Sequence, residues 1–185
     1  MDVYEAIHTR RDVEAFGDAC PSREVIERLI EAARWAPNHR MTQPWRFHVF
    51  TGAARDEFAD AIASWLASNG QPESLGTSAR AKLNRAPVAL FLTQAGTPDD
   101  AARDLEDYAA CACALQNLLL AAEAEGLAAH TSTDRLITYD VTREQLGLDE
   151  GDRVVAIVHL GFLREGTPAK VGKRDEPIVQ WDWRA

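Results

Sequence analysis

The sequence predicts an α+β fold, an α-β sandwich whose central mixed or antiparallel sheet is flanked by helices, and three observations carry that expectation. Short apolar or alternating runs recur at residues 45–50, 88–92, 127–131 and 153–162, bounded by Pro, Gly or polar turn residues. Longer runs of helical periodicity separate them, in the order helix, helix, strand, helix, strand, long helix, strand, short helix, strand. No repeat or linker breaks the pattern, so residues 1–185 read as one domain. At 185 residues and 46% hydrophobic content, the chain can fill one good core but not two.

Asp2 is placed to cap a first helix over residues 3–9, with Val3, Tyr4 and Ile7 expected inward. The helix runs into Arg10-Arg11-Asp12. Cations at a helix C-terminus suit its dipole by about 0.3–1 kcal/mol, so the arginine pair has an ordinary structural explanation beside any functional one. Pro21-Ser22 opens the second helix, with Ser22 as N-cap and Glu24 in the first turn. Val25, Ile26, Leu29, Ile30 and Ala33 form its buried stripe. Trp35 falls nearly opposite that stripe, which leaves its ring to cover a ligand or a partner subunit.

Pro37 stops the second helix at Ala36. Pro44 is expected to hold Gln43 extended and to feed a strand in which Trp45, Phe47 and Val49 share a face. Between the prolines lies a polar loop of Asn38, His39, Arg40, Thr42 and Gln43. Pinned at both ends, it suits a polar, planar ligand, although an ordinary helix-to-strand connection would look the same. Thr51-Gly52 then turns into a helix running to about Ser68. Residues 69–78, with Gly70, Pro72 and Gly76, read as a mobile loop.

Residues 99–107 are acidic and expected in solvent. Residues 108–125 form the longest helical run, and between Ala109 and Ala122 only Gln116 and Asn117 are polar. Such a helix is covered on every side, which one small domain cannot arrange, so a second subunit is implied. Gly126 ends it. Thr142 is placed to cap a short helix ending at Gly147. Residues 167–177 are irregular and basic, and the chain closes on Ile178-Val179-Gln180-Trp181-Asp182-Trp183. Two terminal tryptophans imply a docking place.

A net charge of -9 argues against nucleic acid or an anionic membrane as partner, and an anionic ligand would need a local cationic cluster. No run approaches the roughly 20 apolar residues of a membrane span, and the N-terminus does not resemble a signal peptide. Cys20, Cys111 and Cys113 form no CxxC, and the last two point apart on a helix, which suits a reducing, cytoplasmic setting. GxGxxG, GxSxG and HExxH motifs are all absent. The run from Gly161 to Thr167 has phosphate-loop glycine spacing without its Lys, and it leads into an irregular tail, so it is rejected. His8, His39, His48, His130 and His159 show no helical ligand pairing. With no acid/base pair evident either, an organic cofactor would have to carry any chemistry.

The succession of a helix, Arg10-Arg11-Asp12, and a second helix ending Ala32-Ala33-Arg34-Trp35-Ala36-Pro37-Asn38-His39-Arg40-Met41-Thr42-Gln43-Pro44-Trp45-Arg46-Phe47 resembles the nitroreductase family of FMN flavoproteins. It is most similar to the compact, short-chain bacterial NAD(P)H nitroreductase branch, over nearly the whole chain. The resemblance implies an intertwined homodimer with two FMN molecules in the clefts between subunits. By position it implies that Arg10, Arg11 and Asp12, where the family has Arg-Arg-Ser, bind the phosphate, ribityl chain and pyrimidine edge. Asp12 departs from that Ser, and a carboxylate would repel phosphate while accepting a ribityl hydroxyl. His39 matches the loop position that reaches FMN, and Trp35 stands where relatives often carry Arg. Thr131, Ser132 and Thr133 match the segment beside the isoalloxazine, and Lys173 and Arg174 the late basic pair of the phosphate site. The implied activity is ping-pong transfer of hydride from NADH or NADPH through FMN to small planar acceptors such as nitroaromatics or quinones. Alternatives are another FMN reaction, such as flavin destruction or reductive dehalogenation, or a flavin-binding sensor with negligible turnover.

Overall fold

A computed structural model describes residues 1–168 and 172–181, so Lys170 and Trp183 lie outside the described residues. Six helices and four strands follow in chain order: α1 Val3–Thr9, α2 Arg23–Arg34, β1 Trp45–Thr51, α3 Gly52–Ser68, α4 Glu73–Leu83, β2 Val88–Gln94, α5 Ala101–Ala124, β3 Ala128–Ser132, α6 Asp140–Leu146 and β4 Arg153–Gly161. The strands form one sheet in the order β1-β2-β4-β3, every pair antiparallel. The alternation of β2 builds the sandwich. Val88, Leu90 and Leu92 face α2 and α5, while Ala89 and Phe91 face α3 and α6. Phe91 is fully buried, edge-on to Phe50 and tilted against Phe58. Of the three β1 residues expected on one face, Trp45 and Phe47 join the first core while Val49 is exposed, and Phe50 packs on the second.

Several expectations need correcting. Asp2 does cap α1, accepting the Glu5 N–H at 2.8 Å, but Val3, Tyr4 and Ile7 face solvent on the single subunit and only Ala6 is buried. Of residues 69–78, only the first four are loop, because α4 begins at Glu73. Gly76 looked like a breaker, yet it marks the close approach of α4 to α3: an added Cβ would come 3.3 Å from the Ala63 Cβ. Helix α5 starts seven residues before Tyr108, with the Asp100 side chain accepting the Arg103 N–H at 3.0 Å. The acidic stretch is thus its first turns, and Asp107 is only 3% exposed. Thr142 lies inside the first turn of α6 instead of capping it, and its hydroxyl donates to the buried Leu136 carbonyl at 2.6 Å.

The two cysteines of α5 point apart as expected. Cys111 is buried, its thiol pushed up to about 12 by burial and by the nearby Asp107 carboxylate, while Cys113 faces outward. Within the described residues no helix is long and apolar enough to cross a membrane.

Two stretches outside the sheet matter for the site. Residues 12–17 run past β3, where Asp12 bridges Ala129 in parallel, and on to Leu163, where Phe16 bridges in antiparallel. The described tail, residues 172–181, forms no helix or strand, and Ile178 and Trp181 stand in solvent.

Candidate functional site

The end of α1 is built around its two arginines. Arg10 leaves the helix with extended backbone while its N–H still reaches the Ala6 carbonyl at 3.0 Å. Arg11 folds back so that its Nη1 donates to the His8 and Arg10 carbonyls at 2.7 and 2.8 Å. The ordinary explanation therefore applies to Arg11, which caps the helix C-terminus. It does not account for Arg10, whose guanidinium makes no hydrogen bond or ion pair among the described residues.

Asp12 binds the neighbouring strand. Its Oδ1 accepts the Thr131 N–H at 2.8 Å and its Oδ2 lies 2.7 Å from His130 Nδ1, while the Val13 N–H donates to the Ala129 carbonyl at 2.9 Å. This clasp sets Asp12 on Thr131, with Ser132 and Thr133 following at or near the surface, and carries Arg11 toward the Leu127–Ala128 start of β3. Behind it His130 stacks on His159, with centroids 5.7 Å apart. His159 is 1% exposed, and its imidazole is pushed down to about 3 by burial first and by the Arg85 and His130 charges second. It is therefore a neutral ring, and its Nδ1 has no hydrogen-bond partner among the described residues.

The tail closes on the same corner. A Cβ on Gly172 would lie 2.9 Å from Arg11 Nε and 3.0 Å from its Cζ, so the glycine lets the backbone rest against the guanidinium plane. Lys173 follows directly, and Arg174 Nη1 donates to the Lys173 carbonyl at 2.8 Å. A cleft of about 400 Å³ opens beside Arg11, walled by Thr9, Val13, Leu127, Ala128 and Pro168.

Trp35 and His39 belong to a second neighbourhood. Trp35, the C-cap of α2, is 81% exposed and its indole N–H donates to Glu31 at 3.1 Å. His39 sits exposed in a short 3-10 turn, His39–Met41. The loop is strained: Arg40, Met41 and Gln43 all have positive φ, at 59°, 52° and 47°. Left-handed backbone costs a non-glycine residue roughly 1–2 kcal/mol and persists only where its surroundings enforce it. Gln43 was expected extended before Pro44. Instead the Asn38 side chain captures its N–H at 2.6 Å and turns the chain back. Asn38 also donates to Thr42 Oγ1 at 3.0 Å, and the Thr42 hydroxyl donates to Asp107. A separate cleft of about 510 Å³ borders this loop, lined by Arg34, Thr42, Gln43, Trp45 and Arg46.

The described residues thus join Asp12 to His130 and Thr131 and seat Gly172 against Arg11, with Arg10 and the Lys173–Arg174 pair next to these in the chain, while Trp35 and His39 border a different cleft. Sequence reasoning missed His130, Asn38 as the loop's organiser, and Asp107. Only Asp107 left a usable signal, its helical spacing with the buried Ala110, Cys111 and Ala114.

The profile of the family described as the nitroreductase family matches residues 7–162, most of the chain. The chain belongs to the nitroreductase family. Within it, this nitroreductase-family chain is 27% identical over 168 residues to YdjA of Escherichia coli (strain K12), a protein provisionally named an NAD(P)H nitroreductase, covering 91% of this chain and 89% of that one. A nitroreductase-like family protein of known structure from Bacillus cereus superposes with a TM-score of 0.79 at 27% identity, covering 96% of this chain and 92% of that one. The fold also matches a nitroreductase with bound FMN from Bacteroides fragilis, with a TM-score of 0.74 at 22% identity over 97% of this chain and all of that one. The sandwich expected from the sequence is therefore the nitroreductase fold, its sheet antiparallel throughout.

Proposed function

We propose that this protein is an FMN-dependent NAD(P)H oxidoreductase acting on nitroaromatic or quinone-type acceptors. The observation that carries the reading is the seat of Gly172 against the Arg11 guanidinium, which supports a corner shared by Arg10, Arg11 and the Lys173–Arg174 pair that follows Gly172 in the chain. These donors fit the cofactor. A phosphate of roughly -1.5 to -2 charge needs a cationic corner, and in a chain of net charge -9 this corner supplies four cations.

Bound FMN would supply the redox chemistry, a hydride accepted from NADH or NADPH and passed on in ping-pong order to a second planar molecule. The chain's own residues bind, orient and polarise. Arg10, Lys173 and Arg174 take the phosphate, and Arg11 braces the helix end from which Arg10 projects. Thr131, Ser132 and Thr133 border the ring with small hydroxyls that leave one face open to stacked substrates. Asp12 is engaged by Thr131 and His130, so its part is to hold the arginine segment on β3.

Trp35 and His39 complete the site from a second subunit in this reading. The surface supports a homodimer: Val3, Tyr4 and Ile7 of α1, and Leu105 and Tyr108 of α5, are exposed, as are Ile178 and Trp181 of the tail.

Protein purified without added cofactor is expected to be yellow and to release FMN, not FAD, on denaturation. Colourless protein that takes up no FMN overturns the proposal. Steady-state oxidation of NAD(P)H with a quinone present separates catalysis from cofactor storage. Arg10→Ala and Arg174→Ala are each expected to weaken FMN binding by roughly tenfold or more, since a charge-assisted hydrogen bond contributes about 1.5–3 kcal/mol. Riboflavin, which lacks the phosphate, should be affected much less. Equal losses for both ligands would assign the arginines to folding.

A further inference from the structure

Asp107 has no part in the reading above, yet it is the one buried carboxylate among the described residues. Arg103 stands 3.8 Å away as its ion-pair partner, and the Arg103 Nε is itself buried without a hydrogen-bond partner among the described residues. The close contact of the carboxylate is the Thr42 hydroxyl, from the strained loop between Pro37 and Pro44. The hydrogen bonds of Asn38 to Gln43, Thr42 and the His39 carbonyl all lie inside that loop, so they set its shape and not its place. Beyond those bonds, among the described residues, Gln43 is tethered to Arg46, three residues on in the chain, and Pro44 to Ala95 at the end of β2. Placement of residues 38–42 against the body of the fold falls to Thr42 on α5. Released from Thr42, the buried carboxylate would be left with the long Arg103 contact and without a hydrogen bond to satisfy it, so the bond is hard to release.

We infer that Asp107 is a positioning residue: through Thr42 it holds the left-handed loop in place and so fixes where His39 meets the flavin. The inference rests on the cofactor reading of His39 given above. Asp107 touches neither cofactor nor substrate in it. Three non-glycine residues with positive φ would relax toward ordinary backbone if that anchor were cut, and His39 would move with them.

The test uses Thr42→Val, which removes the hydroxyl at nearly constant shape, Asp107→Asn, which removes the charge at constant volume, and Thr42→Ser as the conservative rescue. Two readouts are taken. Tryptic cleavage after Arg40 in flavin-free protein reports the loop without any cofactor, and FMN affinity with the visible circular dichroism of the bound flavin reports the site. Thr42→Val and Asp107→Asn are expected to speed cleavage and to weaken FMN binding, each by roughly tenfold, with an altered flavin spectrum. Thr42→Ser is expected to match the wild type in both. Thermal melting keeps loop opening apart from global unfolding, and Asp107→Asn serves where Thr42→Val does not fold. Unchanged cleavage in both variants overturns the anchor, whatever the flavin does. Faster cleavage with unchanged FMN affinity overturns the link from loop to flavin. Wild-type protein that binds no FMN brings down the parent reading, and this one with it.

Discussion

A chain truncated before Ile178 is expected to lose its dimer and its flavin together. Ile178 and Trp181 are 104% and 76% exposed in the single subunit, and Val179 is partly so. Burying one large apolar side chain contributes about 1.5–3 kcal/mol, and a symmetric dimer does so at both tails. Even after the cost of ordering the tail, this amounts to roughly 4–6 kcal/mol, or three to four decades in the dissociation constant. Flavin retention should fall in step, because Lys173 and Arg174 lie just upstream in the same segment and Trp35 and His39 are assigned to the partner. Light scattering at micromolar concentration and the absorbance of the purified protein check both. Truncated protein that stays dimeric and yellow would remove the tail from the argument.

The second large effect is on acid stability. The His159 imidazole sits at about 3 in the folded protein against an ordinary value of 6.5. Between these values the unfolded chain holds a proton that the folded chain refuses. Stability is therefore complete above about pH 6.5 and is lost as pH falls, by about 1.4 kcal/mol per unit, until the folded group protonates as well. His48, also lowered by burial and then by Arg46, acts in the same direction. Urea unfolding at pH 7, 6 and 5 should show this slope, and His159→Leu should reduce it by about one proton's worth. An identical slope in the variant would show that His159 is not the group responsible.

How far the sequence reached depended on whether a signal was local. The buried strands and the stripe of α2 were legible because apolar periodicity reports burial directly. Helix α4 was not, since Pro72 and Gly76 imitate a loop unless the contact with Ala63 is known. The first turns of α5 were obscured by their charge, although Asp107 keeps the spacing of the buried face. In the site, the arginine pair and the residues after His130 could be named by resemblance. What joins them could not, because the Asp12 clasp spans 118 positions and no pattern announces it. The extended geometry expected at Gln43 followed the general effect of a following proline. A side chain five residues earlier overrode it.

The seat of Gly172 against Arg11 also has a consequence in time. One wall of that corner is made with the first helix, and the other only after every strand of the sheet has left the ribosome. Domains form as units while synthesis proceeds from the N-terminus, so the sheet and its two cores can consolidate while the cationic corner is still half built. Arg10 and Arg11 then stand at the end of the first helix, on a scaffold that is already folded, before the tail arrives. If that corner takes the cofactor's phosphate, as proposed, charging the protein with it would be a late event in biogenesis, following the folding of the scaffold instead of nucleating it.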